Sequence, residues 1–205
     1  MLGPLVVGGF CCAEDDLPAV VGTGAKDSKQ LTPKRRAEVY ARLSAVGERR
    51  SIALAPRTID RFVARGRLNE LELDAFARLV RSARPDTVIV DACDPNAERF
   101  GRKLAVAAAT DARIVSRHKA DRDFPVVGAA SIVAKVRRDA ALAALRSALD
   151  EELGSGYPSD PTTRACVERY ARDGGRVPPW MRRSWETVQS VKRARPARTL
   201  DQYVP

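Results

Sequence analysis

Residues 87–90 read Thr-Val-Ile-Val, an unbroken apolar and β-branched run between Pro85 and Asp91. Successive side chains of a strand point to opposite faces of a sheet, so a strand apolar at every position has no solvent face. It must be covered on both sides, which calls for flanking helices. The rest of the chain supplies them. Residues 4–13 form a second apolar strand, in which Gly8 and Gly9 signal close backbone packing. Residues 51–55 and 113–117 are shorter strands. Between these lie helical patterns. Thr32 and Pro33 serve as N-cap and first position ahead of Val39, Tyr40 and Leu43. Leu68, Leu71, Leu73, Phe76, Leu79 and Val80 follow at helical spacing, then residues 96–109, then a long Ala-rich segment over 126–153. Residues 14–31 read as a polar loop. The order β–α–β–α–β–α–β–α predicts an α/β domain around a largely buried sheet over residues 1–153. Residues 154–191 open on a Gly- and Pro-dense loop and continue as short helices at 162–172 and 184–190, and residues 192–205 read as a flexible basic tail.

Charge narrows the partners. Lys plus Arg number 36 against 26 Asp plus Glu, a net charge of +10 over 205 residues, which favours a polyanion such as nucleic acid. No apolar run is long enough to span a bilayer, so no membrane partner is expected. The four cysteines, Cys11, Cys12, Cys93 and Cys166, have neither CxxC nor metal-site spacing with the single histidine, His118. That points to a reducing, cytoplasmic setting and to hydrolytic chemistry, if any, run by carboxylates.

Four places could carry chemistry. Asp91 ends the most strand-like segment, and Asp121 follows the next strand. Two Asp at one sheet rim suit a hard divalent cation, although each could equally be a loop or capping residue. Lys26-Asp27-Ser28-Lys29 precedes a helix start, where phosphate binds readily and where an ordinary capped turn is just as natural. Tyr157, between Gly156 and Pro158, is either a stacking platform for a base or sugar or a plug in the core. Small residues over 129–134 let a helix lie close to the sheet, with Lys135, Arg137 and Arg138 on its flank.

Taken in order, these segments resemble one family. LGPLVV at 2–7, KDSKQLTPKRR at 26–36, VDACDPNAERF at 90–100, HKADRDFPVVGAASIVAKVRRD at 118–139, GSGYPSDPTT at 154–163 and RRSWETV at 182–188 together resemble ribonuclease HII, the type 2 ribonuclease H, in its archaeal form. The resemblance implies an RNase H-like fold, with a central mixed sheet flanked by helices and a small C-terminal helical extension that binds substrate. It implies cleavage of the RNA strand of RNA–DNA hybrids, and at ribonucleotides embedded in duplex DNA, by a monomer acting in replication and repair. The family uses four carboxylates and Mg²⁺ or Mn²⁺. Asp91 matches the third acid and Asp121 the fourth. Tyr157 matches the tyrosine that packs on the sugar at the RNA–DNA junction. Lys29 matches a phosphate-contacting lysine, with Ser28 beside it, and Lys135 and Arg138 are expected to add charge near the substrate. In the tail, Leu200 and Tyr203 resemble the apolar anchors of a sliding-clamp-binding peptide, with Ala197 where Gln is usual.

One part of the family pattern has no counterpart. The first two acids belong to an Asp-Glu-Ala-Gly-(Arg/Lys)-Gly-Pro segment placed just before the stretch matching Leu2-Gly3-Pro4. The expected explanation is an internal GTG codon, normally valine, read as the initiating Met, and the alternative is a genuinely shortened gene. Residues 1–205 alone are expected to hydrolyse poorly. The alternative is a catalytically inactive protein that binds RNA–DNA hybrids.

Overall fold

The computed structural model describes residues 2–25, 31–172 and 177–193. Ser28, Lys29, Leu200 and Tyr203 lie outside them. Strand β1 (Leu5–Cys11) pairs antiparallel with β2 (Glu48–Leu54), with Leu5 opposite Leu54 and Cys11 opposite Glu48. Strand β3 (Thr87–Asp91) pairs parallel with β4 (Arg113–Arg117), with Asp91 opposite Arg117. The strands are thus mixed in direction, as expected. They form two two-stranded ladders, and no ladder joins β1 to β3 among the described residues.

Nine helices surround them among the described residues: α1 (Leu17–Gly22), α2 (Pro33–Leu43), α3 (Pro56–Val63), α4 (Leu68–Ala83), α5 (Ala97–Ala108), α6 (Ala120–Asp123), α7 (Pro125–Leu149), α8 (Pro161–Arg172) and α9 (Glu186–Arg193). Local chemistry sets several boundaries. The Thr32 hydroxyl accepts from the Arg35 N–H at 3.2 Å with Pro33 following, as the sequence predicts. Asn96 caps α5 in the same way, accepting from the Arg99 N–H at 2.7 Å. Prolines open α3, α7 and α8, where a missing N–H costs nothing.

Several elements depart from the sequence reading: the long helix expected over 126–153 stops at Leu149, where Asp150 turns left-handed, and Ala120–Asp123 forms a short helix of its own. The polar loop expected over 14–31 contains a 3₁₀ turn (Glu14–Asp16) and α1. Val20 alone on α1 is buried, in a core with Phe10, Val39, Leu43, Ala129 and Ile132, and one packed side chain is too faint a period to read. Strand β2 begins at Glu48, three residues before the apolar signal, because Glu48, Arg49 and Arg50 pair along β1 while their side chains reach solvent.

Helix α7 ties the layers together by packing on β1, β2 and β3. Its small-residue face lies directly on β1. A Cβ on Gly8 would stand 2.2 Å from the Ala130 carbonyl oxygen and 2.8 Å from the Ala134 nitrogen, so only glycine fits there. The far end of α7 enters a different core. Leu142 joins Leu2, Leu153, Cys166, Val167, Val177, Met181 and Val188. Residues 154–191 therefore share their core with the end of α7 and with Leu2, which is fully buried and forms a bridge to Met181.

Candidate functional site

Strand β3 delivers Asp91 to the rim, and β4 leads into the turn that holds Asp121. The backbone N–H of Lys119 donates to Oδ1 of Asp91 at 2.7 Å. Lys119 adopts a left-handed conformation, φ +58°, which lets the chain fold back over the end of β3 and start α6 at once. Asp121 sits in the first turn of α6, buried at 7% exposure. Asp94, in the turn after β3, accepts from the Asn96 N–H at 2.9 Å and from Arg99 at 2.5 Å. The bond from Arg99, with that from Asn96, holds the Asp94 carboxyl below the usual range, so this third aspartate fixes the turn.

Tyr157 lies in the loop between α7 and α8, which is bonded from many sides. The Thr163 hydroxyl accepts from the Gly156 N–H at 2.8 Å and donates to the Leu153 carbonyl at 2.9 Å. Asp160 accepts from the backbone N–H groups of Ser155 and Thr162, and these bonds, the one from Ser155 foremost, lower its pKa to about 2. The Tyr157 side chain is 43% exposed, and one face of its ring rests on the Arg138 guanidinium, 3.9 Å from the ring centroid. Such a contact is worth about 0.5–2 kcal/mol. Arg138 is buried; Lys135, three residues earlier on α7, is half-buried.

Two residues that sequence reasoning did not single out connect these parts. Arg182 is buried, donates to the Gly3 carbonyl at 3.0 Å and the Pro4 carbonyl at 2.6 Å, and lies over the Trp185 ring. Burial first, then the charge of Arg138, lowers its pKa to about 10; Tyr157, Asp60 and Glu72 act the other way. Glu72 on α4 lies close to Cys93, two residues past Asp91. Burial raises the Glu72 pKa despite Cys93 and Arg182, and burial together with Glu72 pushes the Cys93 thiol up to about 12, so Cys93 is inert at neutral pH. The charges of Arg138, Arg182 and Glu72 thus act on one another between Tyr157 and the end of β3. Asp60 supports this region from α3, accepting from the N–H groups of Arg183 and Ser184 at 3.0 and 2.9 Å. The segment RRSWETV pointed to this region, but nothing in it says which arginine turns inward.

The donor chemistry of Asp91 and Asp121 suits a hard divalent cation, because both offer carboxylate oxygens. No group of three or more His, Cys, Asp or Glu with metal-holding geometry occurs among the described residues. Two carboxylates fit a single ion that keeps several waters or takes substrate phosphate oxygens, and fall short of a set that fixes two.

The chain is similar to known proteins over almost its whole length. A family model described as Ribonuclease HII matches residues 1–188. Ribonuclease HII of Methanocella arvoryzae is 43% identical over 192 residues, which cover 93% of this chain and 86% of that protein. Among solved structures, a chain of the PCNA:RNase HII complex from Archaeoglobus fulgidus superposes with a TM-score of 0.83 at 33% identity, covering 98% of this chain and 93% of that one. The ribonuclease H2 of Pyrococcus horikoshii OT3 gives 0.82 at 35%, covering 94% and 91%. The mixed α/β architecture is therefore the RNase H-like fold of these enzymes, and the chain belongs to the ribonuclease HII family.

Proposed function

We propose that this ribonuclease H cleaves the RNA strand of RNA–DNA hybrids, and the phosphodiester beside a single ribonucleotide in duplex DNA, with Asp91 and Asp121 as the carboxylates that hold the catalytic metal, Mg²⁺ or Mn²⁺. The observation that carries this is the bond from the Lys119 N–H to Asp91, which ties the rim of β3 to the turn bearing Asp121. A bound divalent ion supplies Lewis-acid stabilisation of the phosphoryl oxygens and a more acidic water. The protein's own part is orientation. Asp91 is held by a backbone donor, which fixes one of its two oxygens. Asp121 is largely shielded from water, which strengthens its interaction with any cation it meets. Tyr157 presents its free ring face to the sugar at the junction, and specificity for RNA rests on the 2′-hydroxyl, which only the ribose carries. Lys29 and Ser28, outside the described residues, and Lys135 contribute to phosphate binding, with Arg138 beneath Tyr157. Residues 1–153 act as the catalytic domain and 154–191 as the substrate-binding extension.

In this proposal the family's full set of four carboxylates positions two metals, and a polypeptide of residues 1–205 supplies two of the four. Such a polypeptide hydrolyses slowly and binds hybrid weakly. The test compares it with a version extended upstream by an Asp-Glu-Ala-Gly-Lys-Gly-Pro segment, on a duplex carrying one ribonucleotide, in Mg²⁺ and in Mn²⁺. Weaker binding by residues 1–205 than by the extended chain, and rapid nicking by the extended chain alone, are expected. Rapid nicking by residues 1–205 would overturn the impairment, and binding without nicking by both would favour a non-catalytic hybrid-binding protein. A sliding clamp is the proposed protein partner, supported by the clamp-like tail residues Leu200 and Tyr203 and by the relative solved as a PCNA:RNase HII complex.

A further inference from the structure

We infer that Arg138 is a positioning residue for Tyr157: it forms the floor that sets the ring's orientation for junction recognition rather than contacting the nucleic acid. The inference rests on the proposed role of Tyr157 in gripping substrate.

Three observations carry it. First, Arg138 is buried at 7% exposure while the Tyr157 ring stacked on it is 43% exposed, so the tyrosine stands between the guanidinium and solvent. Second, the guanidinium is itself held. Its Nη1 donates to Asp139 Oδ1 at 3.1 Å, and the other oxygen of Asp139 meets Arg36 at 3.4 Å, whose Nη1 donates to the Leu31 carbonyl at 2.6 Å. Third, the loop is shaped to close over it. Gly156 has φ +75°, and a Cβ there would lie 2.6 Å from Arg138 Nη2 and 3.0 Å from Leu142 Cδ2. Only glycine lets the backbone come down far enough to seat the next residue on the arginine. Arg182, close enough to Arg138 for the two charges to repel, is occupied with the Gly3 and Pro4 carbonyls. A planar cation beneath an aromatic ring fixes its tilt without blocking its outer face, so less conformational freedom is lost when a sugar packs on that face.

The test is a double-mutant cycle on binding, read without catalytic metal. Fluorescence anisotropy measures the affinity of the full chain for a labelled duplex with one ribonucleotide and for the matched all-DNA duplex. Variants are Tyr157→Ala, Arg138→Met and the double, with Arg138→Lys beside them. Loss of base or sugar stacking by Tyr157→Ala should weaken single-ribonucleotide binding by about tenfold or more. Arg138→Met should weaken it about three- to tenfold in the wild-type chain and not at all in the Tyr157→Ala chain, because a floor has no role once the ring is gone. The dependence of log Kd on log salt should keep its slope, whereas loss of a direct phosphate contact would lower it by about one. Additive losses, a reduced slope, or a folded Arg138→Met chain with unchanged affinity would overturn the inference. If Arg138→Met does not fold, Arg138→Lys decides, since lysine keeps the charge but lacks the flat face. It should weaken the wild-type chain at least about threefold and leave the Tyr157→Ala chain unchanged, and equal losses in both would overturn the inference. A neutral Tyr157→Ala would overturn the substrate role of Tyr157 itself, a failure distinct from additivity.

Discussion

The backbone N–H of Lys119 donates to Oδ1 of Asp91 at 2.7 Å, so the carboxylate at the end of β3 is held by the turn that carries Asp121 two residues later. The two acids are 30 positions apart in sequence, and the parallel pairing of β3 with β4 is what would bring them to the one rim proposed for the site. An amide at position 91 still accepts this bond through its carbonyl oxygen but carries no charge. Asp91→Asn in the upstream-extended chain should therefore keep the fold and hybrid affinity while cleavage falls by on the order of 10³-fold or more. Single-turnover cleavage and anisotropy measured on the same preparation check this. Retained cleavage would remove Asp91 from the proposed site.

Arg182 satisfies two backbone carbonyls at the entry to β1. Hydrogen bonds to charged donors contribute about 1.5–3 kcal/mol each, and an acceptor left buried and unpaired costs more than a lost contact. Arg182→Met should destabilise the protein by about 3 kcal/mol and lower Tm by roughly 6–12 °C, with Arg182→Lys intermediate. Thermal unfolding followed by circular dichroism reads this directly, and a shift within a degree or two would show that the carbonyls find other donors.

Asp160 gives the loop that carries Tyr157 a defined acid sensitivity. The Ser155 N–H, with further bonds from Ser155 and Thr162, lowers its folded-state pKa to about 2, against about 3.9 in an unfolded chain. A depressed carboxylate pKa contributes stability above the unfolded value and loses it as pH falls through the folded one. Wild type should therefore exceed Asp160→Asn in Tm at pH 7, and the gap should close between about pH 4 and pH 2. A gap that is constant over this range would mean that the ionised form is not what the loop uses.

The proposed clamp-binding role of the tail has a test of its own. Deleting residues 197–205 should reduce sliding-clamp affinity by about tenfold or more, while Tm and hybrid affinity stay as they were. Surface plasmon resonance against an immobilised clamp measures the first and thermal unfolding with anisotropy the others. Unchanged clamp affinity would reject Leu200 and Tyr203 as anchors.

Much of this protein was legible before any coordinates. The β-branched run at 87–90 is a strand, although only Val90 in it is buried and Thr87 is exposed, the Thr32-Pro33 pair starts a helix, and Gly8 marks a close approach that α7 makes. Such features depend on side-chain volume, backbone freedom and period, which are local properties of a sequence. The weak signals failed for the same reason. Helix α1 buries only Val20, and the charged start of β2 hides its alternation. What the sequence could not decide was which of many similar groups turns inward. Arg137 and Arg138 are neighbours on α7, yet the first is exposed and the second is buried under Tyr157. Arg182 closes on the Gly3 and Pro4 carbonyls nearly the whole length of the chain away. An arginine's burial depends on whether distant segments bring acceptors and a flat ring to meet it, and only the packed tertiary structure determines that.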